Sequence, residues 1–130
     1  MKISFTNALG LHPQALRLRA RRMEVLASNL ANADTPNYKA RDFDVERLLR
    51  GDTKPKVPLR TTHAGHLSLA ADAQDGRLLY RVPQQAALDG NTVEEHIEQA
   101  KFAENALRYQ ASLRFVNGKF AGLLTALKGE

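Results

Sequence analysis

The chain has 130 residues, with 19 Lys and Arg against 14 Asp and Glu, and it contains no cysteine. This length favours one domain, and the missing thiols exclude disulfides, thiolate catalysis and cysteine-ligated zinc. No run of 18 apolar residues occurs, and residues 1–7 lack a long apolar core. We therefore expect neither a transmembrane helix nor a cleaved secretory signal peptide.

The basic charge lies at one end of the chain. Residues 1–41 hold seven basic and two acidic side chains, which accounts for the whole net charge of +5. Four arginines form most of the cluster: Arg17, Arg19, Arg21 and Arg22. Such a cluster is consistent with nucleic-acid binding, with an acidic partner, or with an ordinary solvated helix face.

The first predicted element is a helix over residues 11–33. Pro13 is placed where a missing N–H does no harm, and Pro36 ends the helical region because the residue before proline avoids helical geometry. Apolar residues alternate at spacings of four and three, which is typical of a seam between packed helices. The seam residues are Leu16, Ala20, Met23, Ala27 and Leu30.

The middle segment, residues 36–91, has no sustained helical period and holds four of the five prolines. A short helix is predicted over residues 45–50, where Gly51 stops it. Residues 76–83 favour a short strand after an Asp-Gly turn. The segment has too few apolar residues for a core of its own, so we expect irregular chain with short β elements, packed on the helices.

The last predicted element is a long helix over residues 93–127, with Thr92 and Glu95 as a capping box. Uncharged residues occupy eight successive seam positions along it. They are Phe102, Ala106, Tyr109, Leu113, Val116, Phe120, Leu123 and Leu127. The fold class is therefore mainly α, with terminal helices (residues 1–35 and 92–130) paired as an antiparallel coiled coil. The irregular middle segment, with its short β elements, connects them.

A second apolar stripe lies on the opposite side of both helices. A helix that is apolar on two sides is usually buried on two sides, and one partner helix cannot cover both. We therefore expect the second stripe to contact neighbouring subunits in a larger assembly. Its residues are Leu18, Val25, Val93, Ile97, Leu107, Ala111, Phe115, Gly118 and Gly122.

The sequence offers no assembled catalytic, metal or cofactor site. His63 and His66 are the one close histidine pair, and they lack the further ligands that zinc requires. No nucleophile elbow and no glycine-rich phosphate loop occurs. We therefore expect no enzyme activity, no cofactor, no metal and no small-molecule substrate.

The most informative segment joins the first helix to the middle segment. Asn29, Leu30, Ala31, Asn32, Thr35, Asn37, Tyr38 and Lys39 form a motif of the type N-x-L-A-N-x-x-T-x-G-Y-K. It resembles the N-terminal signature of bacterial flagellar rod and hook axial proteins. Residues 88–93, 100–110 and 118–130 are also similar to this family and narrow the resemblance to its proximal rod members. Asn37 stands where the family usually has glycine, and asparagine is the next residue to tolerate positive φ.

The resemblance implies a structural role. Proteins of this family are exported unfolded through the flagellar type III export apparatus, without a cleaved signal peptide, and assemble into a helical tube in the periplasm. The implied partners are further copies, other rod proteins, the rod–ring junction protein of the basal body and the export apparatus. Two other functions stay open at the level of residues: a basic nucleic-acid-binding helical module and a coiled-coil adaptor of small, defined stoichiometry.

Overall fold

The computed structural model describes residues 8–51, 63 and 78–129. Residues 8–9 are helical, and after them three helices and two short strands follow one another along this part of the chain. They are α1 (His12–Ala31), β1 (Arg41–Asp42), α2 (Val45–Leu49), β2 (Leu79–Tyr80) and α3 (Glu95–Lys128). The predicted turn at Asp75 and Gly76 lies outside the described residues.

The two long helices, α1 and α3, pack against each other in opposite directions. Near one end of the pair, Asn29 Nδ2 donates to Glu98 Oε2 at 3.1 Å. Towards the other end, the rings of His12 and Phe115 stack with centroids 5.4 Å apart. The predicted fold class is confirmed: the protein is mainly helical, with long terminal helices paired and a small two-stranded sheet between them in the chain.

The line along which α1 and α3 meet differs from the predicted seam. The buried residues of α1 are Ala15, Leu18, Leu26 and Asn29, and those of α3 are Glu98, Asn105, Ser112 and Val116. At 100° per residue, the buried line of α3 is rotated by roughly 45° from the predicted one. Of the predicted α3 seam, Val116 is buried, four residues are half-buried, and three are exposed. The half-buried four are Phe102, Ala106, Tyr109 and Leu123, and the exposed three are Leu113, Phe120 and Leu127.

The buried line of α1 differs more from its predicted seam, by roughly 120°. Leu16, Ala20, Met23 and Leu30 are half-buried, and Ala27 is exposed. Leu18, expected at a subunit interface, instead forms a buried cluster with Phe43 and Val45. Val25, which carried the same expectation, packs against this cluster. The middle segment covers this side of α1, because Phe43 and Val45 need an apolar surface that their own segment cannot provide.

The middle segment is anchored by short elements. Asp44 caps α2 by accepting hydrogen bonds from the backbone nitrogens of Glu46 and Arg47, at 2.9 and 3.1 Å. The short helix predicted here is confirmed. Strands β1 and β2 pair antiparallel, with Arg41 opposite Tyr80 and Asp42 opposite Leu79. Within the described part of residues 76–83, the strand covers Leu79–Tyr80 alone.

The capping box expected at the start of α3 does not form. The helix begins at Glu95, two residues later than predicted, and its N-cap residue Glu94 makes no side-chain cap bond. Thr92 Oγ1 instead accepts a hydrogen bond from the backbone nitrogen of Ala40 at 2.8 Å. Thr92 therefore ties the middle segment to the start of α3.

At its other end, α3 extends beyond α1. His12 lies level with Phe115, and α3 continues for 13 residues to Lys128 before Gly129, at φ +74°, ends it. This extension is about 20 Å long at 1.5 Å per residue. We call the last twelve residues of this extension, 117–128, the overhang.

Candidate functional site

Four charged side chains join all the major elements at one end of the helix pair. Asp42 of β1 accepts hydrogen bonds from Arg22 Nε and NH2 of α1, both at 2.9 Å, and from Arg81 NH2, beyond β2, at 2.6 Å. Arg81 NH1 donates in turn to Glu98 of α3. We call these four residues the clamp. Its two positive and two negative charges balance, which is the condition for burying them together.

Burial and pairing act in opposite directions on the clamp. Burial raises the pKa of Asp42, but the hydrogen bonds and charge of Arg22 outweigh it and hold that pKa below its usual value. Hydrogen bonding to Asp42 raises the pKa of Arg22. Because the folded-state pKa of Asp42 is the lower one, its contribution to stability is present above its unfolded pKa and is lost as pH falls through the folded value.

Beside the clamp, Asn91 closes the carboxyl end of α1. Its Nδ2 donates to the backbone oxygens of Asn32, Ala33 and Thr35 at 3.1, 2.6 and 3.0 Å. Its Oδ1 accepts from the backbone nitrogen of Val93 at 2.8 Å. The last carbonyls of a helix have no partner within the helix, so a buried amide is well suited to bind them. We call residues 32–40 together with 89–94 the junction.

The family motif supplies the other half of the junction. Buried Asn29 donates from Nδ2 to the backbone oxygen of Arg41 at 2.7 Å, and its Oδ1 accepts from the Arg41 nitrogen at 3.2 Å. Asn32 Oδ1 accepts from Thr35 Oγ1 at 3.2 Å, and Lys39 Nζ donates to the backbone oxygen of Gly90. The Tyr38 backbone oxygen accepts from the Thr92 nitrogen at 3.0 Å. The motif therefore forms the turn to which residues 89–92 are hydrogen-bonded.

Asn37 has the positive φ that the sequence predicts. Its φ is +61°, and no other non-glycine residue among those described has a positive φ. Its backbone nitrogen donates to the Asp89 oxygen at 2.9 Å. The turn at Asn37 contacts the turn at Gly90. A Cβ added to Gly90 would lie 2.6 Å from Asn37 Oδ1, so a larger residue at Gly90 would displace the Asn37 side chain. Gly90 itself has φ +74°, which also favours glycine.

The expected subunit-facing side chains of α3 are mostly open to solvent. Leu107 and Phe115 are 68% and 61% exposed, and Ala111 is exposed as well. Val93 and Ile97, closer to the junction, are half-buried. A Cβ added to Gly118 or Gly122 would meet nothing within 4 Å, so both glycines face open space in the single chain.

The arginine cluster does not form one continuous basic surface. Arg22 is held in the clamp, and the Arg21 guanidinium lies over the Phe43 ring, 5.9 Å from its centroid. Burial lowers the pKa of Arg19, and Arg108 lies near enough to lower it further. The arginines therefore serve different packing contacts.

Neither a metal site nor a bilayer-spanning helix is found in the described part of the chain. Across residues 8–51, 63 and 78–129, no group of metal-ligating side chains could hold an ion, and His66 lies outside these ranges. No helix in the same ranges is both long and apolar enough to cross a membrane. An open groove of about 420 Å³ beside the clamp is lined largely by charged side chains, among them Arg19, Glu104 and Arg108.

Comparison with known proteins places the motif in a family. The family described as flagella basal body rod protein matches residues 12–39, which are α1 and the turn after it. The flagellar basal body rod protein FlgB of Cereibacter sphaeroides is 51% identical, over 97% of this chain and 98% of its own length. The chain belongs to the FlgB family. FlgB of Aeromonas hydrophila is 48% identical, over 100% and 99% of the two chains. FlgB of Escherichia coli K12 is 44% identical, over 93% of each.

Membership of this family makes the chain a structural subunit of the flagellar basal-body rod. These relatives give no support to the nucleic-acid alternative. The residues that the sequence reasoning missed are Asp42, Arg81, Asn91 and Glu98. Residues 88–93 did carry the family resemblance, but no local pattern indicated that Asn91 would bind the end of α1, because its three acceptors lie 56 to 59 positions away in the sequence.

Proposed function

We propose that this chain is a subunit of the proximal part of the rod, in the periplasm, and that it polymerises through the outward faces of its helix pair. The three-part division into residues 1–35, 36–91 and 92–130 then corresponds to an inner helical domain and an outer segment. Its neighbours are further copies and other rod proteins. The family membership supports the place in the rod, and the exposed faces of α3 support the mode of assembly.

The observation that carries this proposal is the apolar surface that α3 leaves uncovered. Besides Leu107 and Phe115, the overhang exposes Leu124 and Leu127, at 58% and 83%. A monomeric soluble protein rarely exposes many large apolar side chains close together, so those on the two sides of α3 mark interaction surfaces. Adjacent copies would bury these side chains, and the open space at Gly118 and Gly122 would admit a neighbouring backbone.

The family resemblance also supports more specific partners. The subunit would pass unfolded through the flagellar type III export apparatus, without a cleaved signal peptide, and then meet the rod–ring junction protein at the base of the rod. Its role there is mechanical, with no catalysis, cofactor, nucleic acid or small-molecule substrate. The middle segment would fold back onto α1 after export, because Phe43 and Val45 pack against Leu18.

The test is a double substitution on the exposed stripe, Leu107→Ala with Phe115→Ala. The free subunit should lose about 2 kcal/mol or less, because both residues are largely exposed and Phe115 loses only its stacking contact with His12. Secretion should continue, and basal bodies isolated from the cells should lack completed rods. Cells of the variant that build normal rods would show that this stripe is not an assembly surface.

A matched control is Val82→Ala with Leu88→Ala. These two side chains are also exposed and apolar, but they lie on the middle segment. We expect this variant to build rods, since the proposed contacts involve the inner helices. Equal loss of rods in both variants would contradict the specific role of α3.

A further inference from the structure

The surface that α3 presents to α1 is largely polar. Glu98, Asn105 and Ser112 follow one another at seven-residue intervals, and all three are buried. The same helix leaves Leu107 and Phe115 exposed. A heptad seam usually buries apolar residues at these positions, so α3 has the reverse of the usual arrangement.

The polar seam is not the most stable choice. Asn105 Nδ2 donates to the Arg19 backbone oxygen at 2.9 Å, but Asn105 Oδ1 is buried and finds no hydrogen-bond partner among the described residues. Ser112 Oγ donates to the Arg108 backbone oxygen of its own helix at 2.9 Å. A buried acceptor left unbonded destabilises a fold, whereas an apolar residue of similar shape avoids that penalty.

The buried polar residues of α3 require particular hydrogen-bond partners. Glu98 needs Asn29 Nδ2 and the Arg81 guanidinium, and Asn105 needs the carbonyl of Arg19. These groups come together in one register and one rotation of α3 against α1. An apolar seam would accept any apolar helix, including α3 of another copy. Buried polar residues in helix pairs are known to fix register and partner in this way.

We propose that Glu98 and Asn105 determine the pairing specificity of α3. They favour α1 over α3 of another copy as its partner, set its rotation so that the apolar stripe faces outward, and disfavour pairing of two α3 helices through this seam before assembly. The inference rests on the proposed function in one respect, namely that the outward stripe is needed by neighbouring subunits. The choice of partner itself is a property of the free chain.

The test replaces the polar seam by an apolar one, with Asn105→Leu and Ser112→Ala in the full chain. The variant should resist urea at least as well as the unaltered protein. In sedimentation velocity it should self-associate about tenfold more tightly than the unaltered protein at equal concentration. The matched control is Gln110→Leu with Asn117→Ala, which adds the same side chains at the same spacing on the exposed side of α3. Equal association of the control would overturn the proposal.

Register is measured separately, and the absence of cysteine makes this possible. His12→Cys with Phe115→Cys, joined by a short bis-maleimide, reports the observed contact between the two helices. In the unaltered seam the cross-link should form within one chain; in the leucine variant it should weaken or join two chains. Asn105→Leu alone is the milder change. It should change self-association and the cross-link in the same direction, but less.

A leucine variant that stays monomeric with an unchanged cross-link would overturn the proposal. Both assays use purified subunits, so this failure would leave the proposed rod function standing. The proposed rod function would instead be contradicted by normal rods in cells of the Leu107→Ala, Phe115→Ala variant.

Discussion

The two ends of the helix pair are built in opposite ways. At the junction, backbone groups of the turn form several hydrogen bonds, and the clamp ties α1, β1, the residue after β2 and α3 together. At the overhang, α3 continues beyond the start of α1 with Leu124 and Leu127 exposed. Directional polar contacts define one geometry, whereas an apolar surface is adaptable and gains stability only when something covers it. The junction therefore fixes the fold of the single subunit, and the overhang is the part that a neighbouring subunit would cover under the function proposed above.

The largest effect should come from breaking the clamp. Arg81→Leu removes the guanidinium that pairs Glu98, leaving a buried carboxylate with only the Asn29 amide. Removing one member of a buried ion pair destabilises a protein by about 3–5 kcal/mol, so we expect a loss of that size in urea unfolding of the purified subunit.

The control is Arg108→Leu. Arg108 also bridges two carboxylates, those of Glu46 and Glu104, but this network is substantially exposed to solvent. Its loss should be below about 1 kcal/mol. Equal losses in the two variants would mean that the clamp behaves as a surface ion pair, and the contrast between the two ends would weaken.

An intermediate effect should come from the turn of the junction. Asn37→Val places a β-branched residue at φ +61°, which should destabilise the subunit by about 1–3 kcal/mol. Asn37→Gly should stay within about 1 kcal/mol of the unaltered protein, because glycine adopts this conformation without strain. Thermal unfolding of both variants measures the difference. Equal stability of the Val and Gly variants would contradict a turn that depends on this φ.

The smallest effect on the free subunit should come from the overhang. Leu127→Ala removes a side chain that is 83% exposed, so the free energy of unfolding should change by no more than about 0.5 kcal/mol. The same variant should reduce the number of completed rods in isolated basal bodies. A loss near 2 kcal/mol in the purified monomer would show that the free subunit itself covers the overhang.

The sequence predicted the elements better than it predicted their rotation. The α1 prediction (residues 11–33) and the α3 prediction (residues 93–127) lie within about two residues of the observed helices, because prolines mark the two ends of α1 and Gly129 ends α3. The rotation of α3 was missed, since periodicity favours the apolar side as the seam. The partners of Glu98 and Asn105 come from α1 and from beyond β2, and no local pattern indicates them.

The sequence by itself determined the helical class, the boundaries of the helices, the positive φ at Asn37 and the family, because each depends on neighbouring residues or on a motif. Only the tertiary structure decided which face of α3 meets α1. That choice depends on groups far apart in the chain: Arg81 and Asn29 donate to Glu98, Arg81 also donates to Asp42, and Asn91 binds the end of α1. Buried charges and amides must find partners once water is removed, and this requirement outweighed the apolar period in setting the rotation of the helix.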